Sequence, residues 1–190
     1  MSEVIKNEQQ ADLKNTVNIR QFTLAPSVKE NGAEVKAIRE YVKTKDISLI
    51  QKHLDSGKII EISEDHNIIV TAGLTQLAMG LTGERATAPI INYGVLGTGT
   101  PNPVAGQTQL VAEAFRKLAS SKSHSNNTVY VDFFFAAADC NGTYTEFGNV
   151  IDGAAGANTG TLFSSIATGG WVKSSAQSLF ISCQYNINNA

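Results

Sequence analysis

The sequence predicts a mainly β protein with α elements: an antiparallel β-sandwich, jelly-roll-like, with one packed helix, preceded by a helical hairpin and an extended N-terminal arm. Three observations carry this expectation. From Val129 onward apolar residues recur with a period of two, as in Val129, Val131, Phe133 and Phe135, and Gly/Asn turns separate the runs. Between Gly32 and Gly57 the apolar spacing is three and four instead. Before Ser27 the apolar residues are isolated, with Val17, Ile19 and the Phe22/Leu24 pair suggesting only short extended pieces. The expected division is therefore an arm over 1–27, a helical hairpin over 28–57 and a β-sandwich domain over 58–190.

Composition bounds the function. The 190 residues suit one ordinary domain with an appendage, and 42% apolar residues suffice for a core. Charged residues make up only 17%, replaced by Thr, Ser, Asn, Gly and Ala, as in turn-rich β proteins partly covered by neighbours. A net charge of −2 gives no basic footprint for nucleic acid. No apolar run approaches the roughly 18 residues of a membrane span, and Met1–Lys6 lacks the order of a signal peptide. The expectation is a protein made and assembled in a cytoplasm, with neither nucleic acid nor membrane as partner. Cys140 and Cys183 could pair, but two cysteines make no framework, and reduced, partly buried thiols are expected. His53, His66 and His124 lie in unrelated contexts, so no metal or other cofactor is expected.

Taken in order, the first 27 residues carry Val4, Ile5, Leu13, Val17, Ile19, Phe22 and Leu24 as scattered apolar positions. Such a segment buries no core alone and is expected to lie along a neighbouring chain, with Val17, Ile19, Phe22 and Leu24 as its assembly contacts. Val35, Ile38, Tyr41 and Val42 make one helical stripe. Asp46 is the expected N-cap of a second helix and Gly57 its left-handed C-cap, with His53 on the solvated face. Lys58–Ser63 reads as a strand, Glu64–Asn67 as its turn and Ile68–Val70 as its return. Thr71 caps a helix over Leu74, Leu77, Ala78 and Leu81; Ile90–Leu96 is a buried strand that Gly94 interrupts as a bulge.

Gly97-Thr98-Gly99-Thr100 invites comparison with a phosphate loop, yet the Gly-Lys-Ser/Thr ending is missing and Pro101-Asn102-Pro103 follows. A strand-reversing turn explains it. Gln107–Lys117 suits helix or strand, and Glu113 and Arg116 are close in either form. A structural ion pair fits them better than a catalytic one, since no third partner is nominated. After the polar loop ending at Asn127, Val129–Ala138 is a long strand, Asn141-Gly142 a hairpin turn and Thr143–Val150 the partner strand. Glu146 reads either as an acid or as a carboxylate paired with a base such as Arg116 across the sheet. Asp152–Gly160 is an exposed tip, Thr161–Ile166 a short strand, and Thr168–Gly170 a turn before Trp171. Ser178–Ile187 closes the fold. Trp171, Tyr144 and Tyr130 are candidates for stacking on a sugar, although a core-plugging Trp171 is at least as common a use.

Four pieces taken together, Asn67–Leu74, Tyr93–Thr100, Thr108–Arg116 and Glu146–Gly148, resemble a family of tailed-bacteriophage structural proteins. The resemblance covers about Ile68 to Ile187 and leaves the arm and the helical hairpin outside it. It implies tail, baseplate, fibre-attachment or head-decoration roles, Glu113, Arg116 and Glu146 as framework residues holding strands in register, and no catalysis. The function expected is a non-enzymatic virion subunit contacting other virion proteins and copies of itself, by apolar burial and strand addition. The alternative is a receptor- or carbohydrate-binding module of a phage fibre using Trp171, Tyr144 and Tyr130.

Overall fold

The computed structural model describes residues 17–100 and 103–187. In chain order the elements are β1 (Val17–Leu24), α1 (Ala33–Thr44), α2 (Ser48–Asp55), β2 (Ile59–Ile69), α3 (Thr71–Thr82), β3 (Ile91–Gly97), β4 (Glu113–Leu118), β5 (Ser121–Ser125), β6 (Thr128–Phe135), β7 (Gly142–Ile151), β8 (Thr161–Lys173) and β9 (Ser178–Asn186). Nine antiparallel strands form one curled sheet in the order β4-β3-β7-β8-β2-β1-β9-β6-β5.

Two chain segments change partners and so curl the sheet. β2 pairs with β1 from Ile59 to Asn67, then with β8 through Ile68 and Ile69. β4 and β5 are the outermost strands, yet only Ala119 and Ser120 separate them in the chain. The Ala119 N–H donates to the Asn92 carbonyl at 2.9 Å and the next N–H, of Ser120, to Asp132 at 2.8 Å. The chain thus steps from one half of the sheet to the other within two residues.

The inner faces of the two halves meet in the largest core. Ile19, Val131, Phe133, Phe135, Leu179 and Ile181 come from one half, Leu96, Phe147, Phe163, Ile166 and Trp171 from the other. Phe133 and Phe147 meet edge to face across it, ring centroids 5.9 Å apart. Gly94 belongs to this close approach: a Cβ there would lie 2.8 Å from the Phe133 ring, so space rather than a bulge calls for glycine. The outer face of β1, β9 and β6 buries Phe22, Leu24, Tyr130, Phe134 and Phe180 beneath Val35, Ile38 and Val42 of α1 and Ile50 of α2. The Asp46 carboxylate accepts the Ser48 N–H at 3.0 Å at the start of α2, and Gly57 follows the helix with φ 67°. His53 is buried at 8% exposure, not solvated, because it shares the buried face of α2 with Ile50, three positions before it.

Several local expectations are corrected. Val17–Leu24 is an interior strand of the chain's own sheet, flanked by β2 and β9, and Ile19, Phe22 and Leu24 are fully buried. It looks polar in sequence because Arg20, Gln21 and Thr23 are buried too, with Arg20 satisfied by Gln184 and Glu64. Residues 1–16 of the expected arm lie outside the described residues. Glu64–Asn67 is not a turn but the middle of an eleven-residue strand, its polar side chains set along a half-exposed strand. β6 and β7 are not a hairpin: β6 lies between β5 and β9, β7 between β3 and β8. Between them the chain crosses from one half to the other, held by the buried Lys173, whose Nζ donates to Ala137 O, Asn141 Oδ1 and Ser174 O at 3.0–3.1 Å. β8 runs unbroken through Gly169 and Gly170, both at positive φ, where the pairing with β7 slips between Tyr144 and Glu146.

Candidate functional site

Glu146, Glu113 and Arg116 lie at one end of the half built from β3, β4, β7 and β8. Glu146 is fully buried on β7. Its carboxylate accepts three backbone N–H groups of the loop between β3 and β4: Gly99 at 2.9 Å, Val111 at 2.7 Å and Ala112 at 3.0 Å. The loop closes at its base through Thr98 N–H to Ala112 O, 2.9 Å, and is fastened again by Thr145 Oγ1 donating to Gly99 O at 2.5 Å. A Cβ at Gly97 would stand 2.7 Å, and one at Gly99 2.5 Å, from Glu146 Oε1. The glycines of the phosphate-loop lookalike therefore do hold an anion against backbone amides, and the anion is the chain's own glutamate. The expected pairing of Glu146 with Arg116 does not occur, because the loop amides take up both carboxylate oxygens.

Arg116 pairs instead with Glu113. Its Nε and Nη2 donate to the two carboxylate oxygens at 2.6 and 2.8 Å, a bidentate fork with both side chains under 8% exposed. Residues three apart on a regular strand face opposite ways. Here Leu96 pairs with Phe115 but Gly97 with Glu113, so Ala114 is an extra residue, and this bulge brings Glu113 to the side of Arg116. Residues 113–118 are thus a bulged strand and 107–112 an irregular approach to it, not a helix. Both partners also reach the loop before β8: Arg116 Nη1 donates to Ala154 O at 2.6 Å and Thr159 Oγ1 at 2.7 Å, and the Asn158 N–H donates to Glu113 at 2.9 Å. The guanidinium lies 5.2 Å from the Tyr93 ring centroid. Asn92 adds a reciprocal pair of 2.8 Å hydrogen bonds with the Gly153 backbone. Beside this cluster, between Val95, Leu110, Val150 and Leu162, the remaining cavity is about 10 Å³, room for a single water.

The stacking candidates form no exposed platform. Trp171, Tyr144 and Tyr130 are 8%, 6% and 7% exposed. Trp171 packs on Phe147 at 5.7 Å between centroids. Tyr144 donates to Cys140 O at 2.9 Å. Tyr130 lies in the other core, beneath the helices. The period-two strands that bury them are the physical reason.

Sequence reasoning missed two buried polar groups. Asp132 is held by Ser182 Oγ at 2.7 Å and Arg39 Nε at 3.1 Å, its carboxyl raised above the usual range by burial. In the central core Asn149 Nδ2 donates to Tyr185 Oη at 2.5 Å, with Ser164 Oγ 2.9 Å from the same hydroxyl. Their partners lie 15 to 93 positions away, so no local spacing announces them. Both cysteines are free. Among the described residues no cluster of His, Cys, Asp and Glu could hold a metal ion, and no helix is long and apolar enough to cross a membrane.

Fold and site together define a mainly β protein in which ionisable side chains fasten loops to a curled sheet. The chain matches no family model, no curated protein and no solved structure in the comparisons made.

Proposed function

We propose that the chain is a non-enzymatic structural subunit of a tailed-bacteriophage particle, in a tail, baseplate, neck or capsid-decoration position, contacting other virion proteins and copies of itself. In this reading the curled sheet serves as a β-sandwich of jelly-roll type. The observation that supports it best is the use made of Glu146, Glu113 and Arg116: all three tie loops 97–112 and 152–160 to the sheet. Framework duty of this kind is what the family resemblance implies for them. The four resembling pieces also meet in space. β3 pairs with β4 and β7, Glu146 binds the β3–β4 loop, and the Thr71 N–H at the start of α3 donates to Ala105 O of the same loop at 2.7 Å. The surface offers apolar groups to neighbours: α3 has no charged residue and leaves Leu81 90% exposed, and Val111 is 64% exposed.

The test is mass spectrometry of density-gradient-purified particles from lysates of cells carrying the gene. Co-banding of the chain in fixed proportion to other virion proteins is expected. Its absence from the particles overturns the reading.

A further inference from the structure

Among the described residues β5 is one of the two edges of the sheet, hydrogen-bonded only to β6. Four of its five residues are exposed and the fifth, Ser121, is half-buried, so among the described residues no other element covers the edge. An antiparallel ladder turns every second N–H and C=O outward on such an edge, and these groups can take an added strand. Beside it lies a cleft of about 90 Å³ between α1 and the sheet, lined by Arg39, Lys43, Ser121, Ser123, Tyr130 and Asp132 among others. The register places Ser121 opposite Asp132 and Ser123 opposite Tyr130, so these side chains share the face turned to the cleft. Lys122 and His124 lie on the opposite face of the same strand.

The charges select an occupant. Two cations, Arg39 and Lys43, line the cleft against one carboxylate, Asp132, which already accepts hydrogen bonds from Arg39 and Ser182. Lys43 bonds the exposed Glu40 at 3.3 Å, a pair on the solvated helix face. Antiparallel pairing of two β5 edges about Ser123 would set the Lys122 side chains of both copies on one face as diagonal neighbours, which like charges oppose. An incoming strand with carboxylates meets cations on both faces.

We propose that the β5 edge and its neighbouring cleft form a docking site for an extended acidic segment of a partner protein, added to the sheet as a further antiparallel or parallel strand. The main-chain ladder supplies binding, and acidic side chains reaching toward Lys43 and Arg39 supply selectivity. The proposal rests on the assembly reading above and supplies its partner chemistry.

The experiment titrates the full chain with three fluorescent peptides and follows anisotropy and backbone amide shifts. One alternates glutamate and valine; a second alternates lysine and valine; a third is the glutamate peptide N-methylated at every second amide. The glutamate peptide is expected to bind and to shift the amides of Ser121–Ser125. Binding should weaken about tenfold with added salt or in Lys43→Glu, whose fold is checked by circular dichroism. The other two peptides should bind at least tenfold more weakly. No binding, equal binding of the N-methylated peptide, shifts confined to other surfaces, or a β5-mediated dimer of the chain would each overturn the proposal. If purified particles contain the chain but the glutamate peptide fails, only this docking site is lost. If the peptide binds but particles lack the chain, the assembly reading falls and the docking site stands.

Discussion

Oε1 of Glu146 lies 2.9 Å from the Gly99 nitrogen, and only 2.5 Å from where a Cβ on Gly99 would be. One carboxylate thus explains both the shape of the loop and its need for glycine. Glu146→Gln retains size but turns an amide NH₂ toward backbone N–H groups. A loss of about 2–4 kcal/mol is expected in urea unfolding, from buried donors left without a charged acceptor. Gly99→Ala should also destabilise, because the added carbon meets Glu146 and Val111, the latter at 2.6 Å. Either variant unfolding like the wild type would remove the carboxylate from its organising role.

Glu113 and Arg116 are expected to behave as a unit. Replacing either alone leaves a buried charge, at about 3–5 kcal/mol. Glu113→Leu combined with Arg116→Met should cost clearly less than the sum of the two, as a double-mutant cycle on urea midpoints will read. Additive losses would mean that the fork at 2.6 and 2.8 Å contributes no coupling.

Phe22→Ala separates an interior strand from a peripheral arm. Phe22 is fully buried and meets Tyr41 and Phe180 edge-on at 6.2 and 6.0 Å. Truncation should cost about 3–5 kcal/mol in the isolated chain, with no partner present. An unchanged thermal midpoint would return the segment to the periphery.

This strand also indicates what was legible in the sequence. Period-two runs such as Val129–Phe135 and the three-four spacing of Val35, Ile38 and Val42 are local, and both emerge in the expected form. Pairing is not local. Asn141-Gly142 looks like a hairpin turn, yet its flanking strands take partners up to sixty residues away, and Cys140, at φ 38°, sits in a crossing between halves. Arg20 and Gln21 made β1 look like surface because their satisfaction comes from Glu64, Gln184 and Ser63. Of the candidate site, Glu113 with Arg116 was legible as an ion pair, but the bulge at Ala114 that sets them on one side of the strand was not. The true partners of Glu146 are backbone amides, which no side-chain pattern records.

Lys45 provides a pH signature. Burial, then the nearby Arg20 charge, lowers its amine to about 8 from the ordinary 10.5, with Glu64 opposing. A folded value below the unfolded one means that the unfolded chain holds more protons between the two. Stability therefore rises, relative to Lys45→Met, as pH climbs from about 8 toward 10.5. The gain should be about 1 kcal/mol or less, since the group is largely solvent-exposed and screened. Parallel stability–pH curves for the two proteins would contradict the assignment.

The thiols should be inert in the native state. Burial pushes Cys140 up to about 11 and Cys183 up to about 12. At pH 8 a disulfide reagent such as DTNB should react slowly with the folded chain and rapidly once urea unfolds it, releasing both equivalents. Fast native labelling would show that the halves of the sheet open readily.

The place of β9 bears on synthesis. It lies between β1 and β6, so the earliest described strand gains its second neighbour only from residues 178–186. On a ribosome the nascent chain would hold two unfilled edges and an open core until those residues had emerged. A product cut short before them lacks the strand that joins both, and stays open to proteases. Completion of the sheet is then a length check, admitting only chains translated through β9 to whatever they build.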